Sequence, residues 1–292
     1  MVVVRYFLML EWMAGSSIGM KFQLSTFEFA LLIAVVLALT AAGNIINDYF
    51  DQKVDKINKP EQVIVGRTVK RRVAIVLHQG LNILAVLATL IVCIRTNFWW
   101  PILLPVLIAT ILWWYSPVLK KKVFVGNLAV AFCTACVPIW AALFEMHELQ
   151  KNYSDMLMNG ETFFFQLWIR IAVVSFFAFI LTLLREVVKD MEDMEGDIQG
   201  DYRTIPIVYG IQKTKTYLYV LTTLFLLGVG LVMWKMHSII DLSIISMFLL
   251  LPSIVMIRFI STAAMQQDFH RISKWIKFIS VMGIATIIIL LS

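Results

Sequence analysis

The sequence predicts an all-α, polytopic membrane protein, and three observations lead there. Of the 292 residues, 60% are hydrophobic and 15% charged, where a soluble domain carries roughly 45–50% and about 25%. Apolar windows of bilayer-spanning length recur from one end of the chain to the other. Basic residues collect in alternate links between those windows, the bias that orients helices in a membrane. A single soluble core is thereby excluded. The net charge of +6 reads as membrane topology and not as affinity for nucleic acid, since the chain has no basic helix interleaved with aromatics and no zinc-finger or RNA-recognition signature.

The windows lie near 3–20, 24–47, 73–95, 98–116, 123–144, 162–184, 215–235, 240–262 and 274–291, which predicts nine spans. The first has only Arg5 as its basic flank and is interrupted by Glu11, so it reads as a membrane helix and not as a cleaved leader. With the link after the second span inside, strict alternation puts Arg5, seven bases in 48–72, three in 117–122, four in 185–214 and Arg271 on the inner side. These are 16 of the 25 Lys and Arg. The bias predicts a cytoplasmic N-terminus and an external C-terminus. Of the cysteines, Cys93 stands alone. Cys133 and Cys136 form a C-x-x-C within the apolar run "LAVAFCTACVPIW". No second Cys or His cluster lies near them in sequence, so they read as small residues at a helix contact.

The end of the second span carries the chemistry. In "GNIINDYFDQKVDKINKPEQ", a helix advancing about 100° per residue places Asn44, Asp48, Asp51 and Asp55 within an arc of about 60°. "LLREVVKDMEDMEGDIQGDYRTIPI" repeats the spacing: Glu186, Asp190, Asp193 and Asp197 share one arc, while Glu192 and Glu195 fall on the far side and read as solvated. Asp201 would extend the stripe, but Gly196 and Gly200 favour an earlier helix end. Like charges stacked along a helix repel, so something must neutralise them. Carboxylate oxygens are hard ligands, and Mg²⁺ commonly binds one or two of them together with substrate phosphates. Two acid stripes on the cytoplasmic side therefore suggest a cradle for Mg²⁺ and a diphosphate, against the plainer alternative of hydrated acids at helix ends. Nearby bases suit phosphate oxygens. Among them Arg67, Lys120 and Arg203 stand beside turns close to the predicted site, and the Tyr115 hydroxyl adds a hydrogen bond.

At these stripes the chain resembles the UbiA superfamily of intramembrane prenyltransferases. Asn47, Asp48, Asp51 and Asp55 spell its N-D-x-x-D-x-x-x-D motif, preceded by Asn44, and Asp190, Asp193 and Asp197 match its second aspartate-rich motif. "YSPVLKK", with Tyr115 and Lys120, resembles the family's tyrosine–lysine element, and "VGN" at 125–127 follows it. Within the superfamily the two motifs look most like those of the geranylgeranylglycerol-phosphate geranylgeranyltransferases. The stretch "PEQVIVGRTVKRR" departs from the P-E-R-P-I-P-S-G often found there. The resemblance implies one transmembrane domain over 1–292, with nine helices around a central cavity. It implies that Mg²⁺ is bridged by Asp48, Asp51, Asp190, Asp193 and Asp197 to an isoprenyl diphosphate, with Asp55 completing the acid set. Asn44, Asn47, Arg67, Tyr115, Lys120 and Arg203 would serve the diphosphate. Ionisation would give an allylic cation, shielded by aromatics such as Tyr49, Phe50, Trp113 and Trp114, although Trp and Tyr also gather at membrane interfaces for other reasons. The implied acceptor is geranylgeranylglyceryl phosphate, and the alternative is an aromatic ring of quinone, haem or chlorophyll type. A CDP-alcohol phosphotransferase is excluded by the absence of any Asp-Gly pair. A cation-coupled transporter fits poorly, since its acids tend to lie at the membrane midplane on broken helices.

Overall fold

The computed structural model describes residues 1–6, 21–58, 60–153 and 160–290. Among them the chain is helical, with one isolated bridge between Val65 and Val69 as its only extended pairing. The elements are α1 (Thr26–Asn58), α2 (Arg71–Thr96), α3 (Leu103–Trp114), α4 (Val125–Tyr153), α5 (Gly160–Glu192), the short α6 (Met194–Gln199), α7 (Ile205–Lys235), α8 (Ile239–Ile245), α9 (Leu251–Thr262) and α10 (Gln266–Leu290). A 3₁₀ turn (Trp100–Ile102) leads into α3, and π-helical turns follow α3 (Tyr115–Leu119) and α8 (Ser246–Leu250). Pro117 lies inside the first π turn and Pro252 just beyond the second. A proline removes a backbone donor and crowds the preceding carbonyls, which loosens the ladder there.

Among the described residues, eight helical stretches are long and apolar enough to cross a membrane: Thr26–Asn58, Arg71–Thr96, Trp100–Leu119, Val125–Tyr153, Thr162–Glu192, Ile205–Lys235, Ile239–Thr262 and Gln266–Leu290. They match the second to ninth predicted windows. The first window, 3–20, falls largely on residues outside the described set. Apolar side chains such as Ile83, Leu84, Leu87, Ile91 and Ile94 on α2 are exposed, the expected state of a helix face that meets lipid.

Two compact units make up the chain. The first comprises Met1–Leu119 and Cys136–Ser175, the second Lys120–Ala135 and Phe176–Ser292. In the first, α1 and α2 pack together along their length and α3 packs on both. A second cluster there joins Val4 to Ala141, Ala142, Met146 and Leu149 of α4 and to Phe164, Leu167 and Ile171 of α5. The second unit is cored by Leu184, Val187 and Val188 of α5, Leu218, Leu221 and Phe225 of α7, Met256 and Ile260 of α9, and Ile272, Ile276 and Ile279 of α10.

The start of α1 is firmly tied. Ser25 and Glu28 form a reciprocal capping box: the Ser25 N–H donates to Glu28 Oε2 at 2.8 Å, and the Glu28 N–H donates back to Ser25 Oγ at 3.3 Å. Glu28 also accepts from Arg95 Nε, at the end of α2, at 2.6 Å. Beside this end, Arg5 Nε donates to the fully buried Glu145 at 3.1 Å, the Leu24 carbonyl accepts from Arg5, and Phe22 and Phe29 cover the guanidinium at 4.2 and 4.3 Å. This corrects the charge assignment. Arg5, counted among the inner bases, sits at the Thr26 end of α1, the end away from Asp48, where a buried carboxylate needs it.

Within the second unit, three links predicted to share a side do meet at one end. Lys120 and Lys121 of the 117–122 link lie over Tyr202 of the 185–214 link, and Gln266 and His270 of the 263–273 link reach Glu192 of that same link.

Helix α7 breaks at Gly210, where φ is 79° and ψ 163°. Only glycine adopts this region without strain of about 1–3 kcal/mol. A methyl group added there would meet no neighbouring atom, so the backbone alone demands the glycine. Gly230, on the same helix and equally open, has no such conformation. Gly210→Ala is therefore expected to lower the melting temperature in detergent, while Gly230→Ala leaves it unchanged or raises it. Equal effects at the two positions would contradict the break.

Candidate active site

The first acid set sits where the sequence puts it. Helix α1 runs without interruption through Asn58, so Asn44, Asn47, Asp48, Asp51 and Asp55 share one rod. Asp51 is 1% exposed, Asn47, Asp48 and Asp55 are half-buried, and Asn44 is exposed. The Ser116 hydroxyl, buried in the π turn, donates to Asn47 Oδ1 at 3.0 Å. That bond brings Tyr115, the first residue of the same turn, to the level of the acid-bearing end of α1. The Arg71 guanidinium lies 4.7 Å over the Tyr49 ring. Tyr49 meets Phe50 edge-on at 5.1 Å, and Phe50 meets Trp113 at 6.5 Å. Trp113 in turn covers the buried His78, whose Nδ1 pairs with the Ala42 carbonyl at 2.9 Å and whose Nε2 pairs with Asn82 Nδ2 at 3.0 Å. Trp114 is exposed.

Arg67 belongs to the turn closed by the Val65–Val69 bridge. Gly66 (φ 86°) lies so close to Gln52 that an added Cβ would fall 2.7 Å from the amide oxygen. The turn therefore docks on α1 between Asp51 and Asp55, leaving the Arg67 side chain exposed.

The second acid set departs from the predicted continuous helix. Helix α5 ends at Glu192, Asp193 occupies a bend (φ −98°, ψ 10°), and α6 starts at Met194. Helical hydrogen bonds still cross the bend, from Asp193 N to the Lys189 carbonyl at 2.9 Å and from Asp197 N to the Asp193 carbonyl at 3.1 Å. The spacing thus survives while the rod turns. Asp197 and Glu186 are buried, Asp190 and Asp193 half-buried. Asn127 Nδ2, from the first turn of α4, donates to Asp190 Oδ2 at 2.8 Å. Arg185 Nη1 donates to Glu186 Oε1 at 2.9 Å.

Glu192 corrects the expectation of a solvated far face. It is 9% exposed and pairs with His270 Nδ1 at 2.8 Å, while Gln266 Nε2 donates to its carbonyl at 3.0 Å. Glu195 is exposed as expected. Helix α6 ends at Gln199, and Asp201, in the left-handed region at φ 56°, lies beyond it. Arg203 is exposed, whereas Lys120 is half-buried with its Nζ 5.0 Å from the centre of the Tyr202 ring.

The structure therefore gathers Asn47, Asp48, Asp51, Asp55 and Tyr115 in one unit, with Arg67 on a turn beside them. In the other it gathers Asp190, Asp193, Asp197 and Lys120. Ser116, His78 and Tyr202 carry no local sequence signal of their place here, whereas Asn127 stands in the "VGN" that follows the tyrosine–lysine element. Both acid sets offer hard oxygen donors and no thiolate, a chemistry suited to Mg²⁺. Among the described residues, no three His, Cys, Asp or Glu side chains converge into a ready-made metal cage. Mg²⁺ needs none where a substrate phosphate completes its shell.

The UbiA prenyltransferase family model matches residues 9–281. A digeranylgeranylglyceryl phosphate synthase of Methanobrevibacter smithii is 34% identical over 179 residues, 61% of this chain and 57% of that protein. Its namesake in Methanosphaera stadtmanae is 29% identical over 256 residues, 86% of this chain and 83% of that protein. The chain thus spans little more than half the length of the first and most of the second. A solved structure concerning digeranylgeranylglyceryl phosphate synthase in membranes superposes with a TM-score of 0.65 at 22% identity, over 98% of this chain and 90% of the other. A UbiA homologue of Archaeoglobus fulgidus bound to GPP and Mg²⁺ superposes at 0.55 and 16% identity, over 98% and 96%. At these identities the likeness to the solved structures is one of fold.

The Asn127–Asp190 bond yields a test. Asn127→Leu removes the donor, at a cost of about 1 kcal/mol. Asn127→Asp places another acid beside Asp190, Glu186 and Asp197. The aspartate variant is expected to melt lower than the leucine variant in metal-free detergent buffer and to gain more stability when MgCl₂ is added, because it offers one more carboxylate. An aspartate variant that gains nothing from MgCl₂ would contradict cation binding at this cluster.

Proposed function

Because the chain belongs to the UbiA prenyltransferase family, we propose that it transfers a geranylgeranyl group from its diphosphate to geranylgeranylglyceryl phosphate at the membrane surface. The observation that carries this reading is the pair of carboxylate sets, each at the end of a 33-residue apolar helix. The relatives named digeranylgeranylglyceryl phosphate synthase support the acceptor. The A. fulgidus homologue bound to GPP and Mg²⁺ supports the donor and the metal. In this reading residues 1–292 act as one integral membrane domain, its helices surround a central cavity, and the reaction runs on the cytoplasmic side, where the basic links gather.

Asp48, Asp51, Asp190, Asp193 and Asp197 would hold Mg²⁺, with Asp55 extending the first set. Bound there, Mg²⁺ would supply Lewis-acid stabilisation of the leaving diphosphate. Asn44 and Asn47 present amides beside the acids, with Asn47 held by Ser116. Tyr115 supplies a hydroxyl, and Lys120, Arg67 and Arg203 supply positive charge for the phosphate oxygens. Asn127 orients Asp190. The breaking C–O bond releases diphosphate and leaves an allylic cation; the acceptor hydroxyl oxygen attacks it to form the ether C–O bond and gives up its proton to the released diphosphate, while the aromatic group of Tyr49, Phe50 and Trp113 offers π faces to the cation. A polyprenyl tail is as apolar as lipid and enters between helices, while its charged head stays at the acid-bearing surface.

Asp51→Ala and Asp193→Ala are each expected to reduce Mg²⁺-dependent transfer at least about 100-fold while the proteins remain monodisperse in detergent. An acceptor panel with geranylgeranyl diphosphate should favour geranylgeranylglyceryl phosphate over a dihydroxynaphthoate and a hydroxybenzoate. Full activity in either variant would overturn the site, and preference for an aromatic ring would overturn the acceptor.

A further inference from the structure

Tyr202 belongs to neither acid set, and the residue is 6% exposed. Two separate observations place it at the second set. Its backbone N–H donates to the Asp197 carbonyl at 2.9 Å, after the left-handed Asp201 has turned the chain back at the end of α6. Its ring lies under two ammonium groups, Lys120 Nζ at 5.0 Å and Lys121 Nζ at 5.9 Å from the centroid. One residue is thus bonded through its backbone to the turn that carries a buried aspartate, and through its π face to the lysine at the start of the 120–122 basic run.

A lysine side chain has a long flexible stem and a strongly hydrated head, so fixing it in one place costs rotamer freedom. A ring face about 5 Å from the ammonium opposes that loss electrostatically without neutralising the charge. We propose that Tyr202 is a positioning residue: its ring holds Lys120 beside the Asp190–Asp197 set, where the lysine meets the diphosphate. The inference rests on the assignment of Lys120 to the diphosphate. It adds that Lys120 is preorganised by an aromatic face, so that Tyr202 sets diphosphate affinity without touching the substrate.

The test separates the ring from the hydroxyl and from folding. Tyr202→Phe keeps the π face. 3,4,5-Trifluorophenylalanine incorporated at position 202 keeps the shape but withdraws the face's electron density. Tyr202→Leu removes the face. Binding of inorganic diphosphate with Mg²⁺ is measured by calorimetry in detergent, beside KM and kcat for geranylgeranyl diphosphate. With Tyr202→Phe near wild type, Kd and KM are expected to rise about 3- to 10-fold in the trifluoro and leucine proteins while kcat changes little. In a Lys120→Met background the same changes at 202 are expected to have little further effect. Trifluorophenylalanine binding as phenylalanine does would overturn the proposal, and so would a phenylalanine variant as weak as leucine. Wild-type protein that neither binds diphosphate nor transfers a prenyl group would instead overturn the assignment on which the proposal rests.

Discussion

Everything in this protein answers to one constraint: carboxylates must sit at the end of helices whose greater part lies in hydrocarbon. The solution is length. Helices α1 and α5 each run 33 residues, about 50 Å at 1.5 Å per residue, against a hydrocarbon core of about 30 Å. The length beyond that core is where the acids lie, toward the Asn58 end of α1 and the Glu192 end of α5. An unbroken backbone ladder still pays the hydrogen-bonding cost of the membrane interior, so polar chemistry is added without opening a helix inside the bilayer.

That arrangement was legible to different depths. Hydropathy located eight spans because lipid imposes one requirement on every residue in a window. The i, i+3, i+7 spacing located the α1 stripe because the helix stays regular from Thr26 to Asn58. The same arithmetic treated "KDMEDMEGD" as a straight rod, since no glycine or proline precedes Gly196. The bend at Asp193 coincides with contacts made by Gln266 and His270, 74 and 78 residues downstream of Glu192. Local spacing does not contain such contacts. They also explain why Glu192 is buried although it falls on the stripe's far side.

The bases show a different limit. Arg67, Lys120 and Arg203 stood out because each neighbours a turn, yet the three have different surroundings. Arg67 and Arg203 are exposed, while Lys120 rests on an aromatic ring. Sequence position near a turn gives proximity, but the backbone dihedral of one residue, such as Asp201, decides which side chain comes back against which. Arg5 makes the point at the other end of α1. Counted by topology it belongs with the inner bases, but the buried Glu145 determines where it is.

The capping box and the Glu28–Arg95 pair fasten the Thr26 end of α1 to the end of α2. With that end held at one surface, a thicker or thinner membrane shifts the opposite water boundary along the acid-bearing turns. A shift of about 5.4 Å corresponds to one turn, roughly the separation of Asp51 from Asp55. A bilayer thicker or thinner by that amount would move Asp51 and Asp55 by one helical turn relative to its surface.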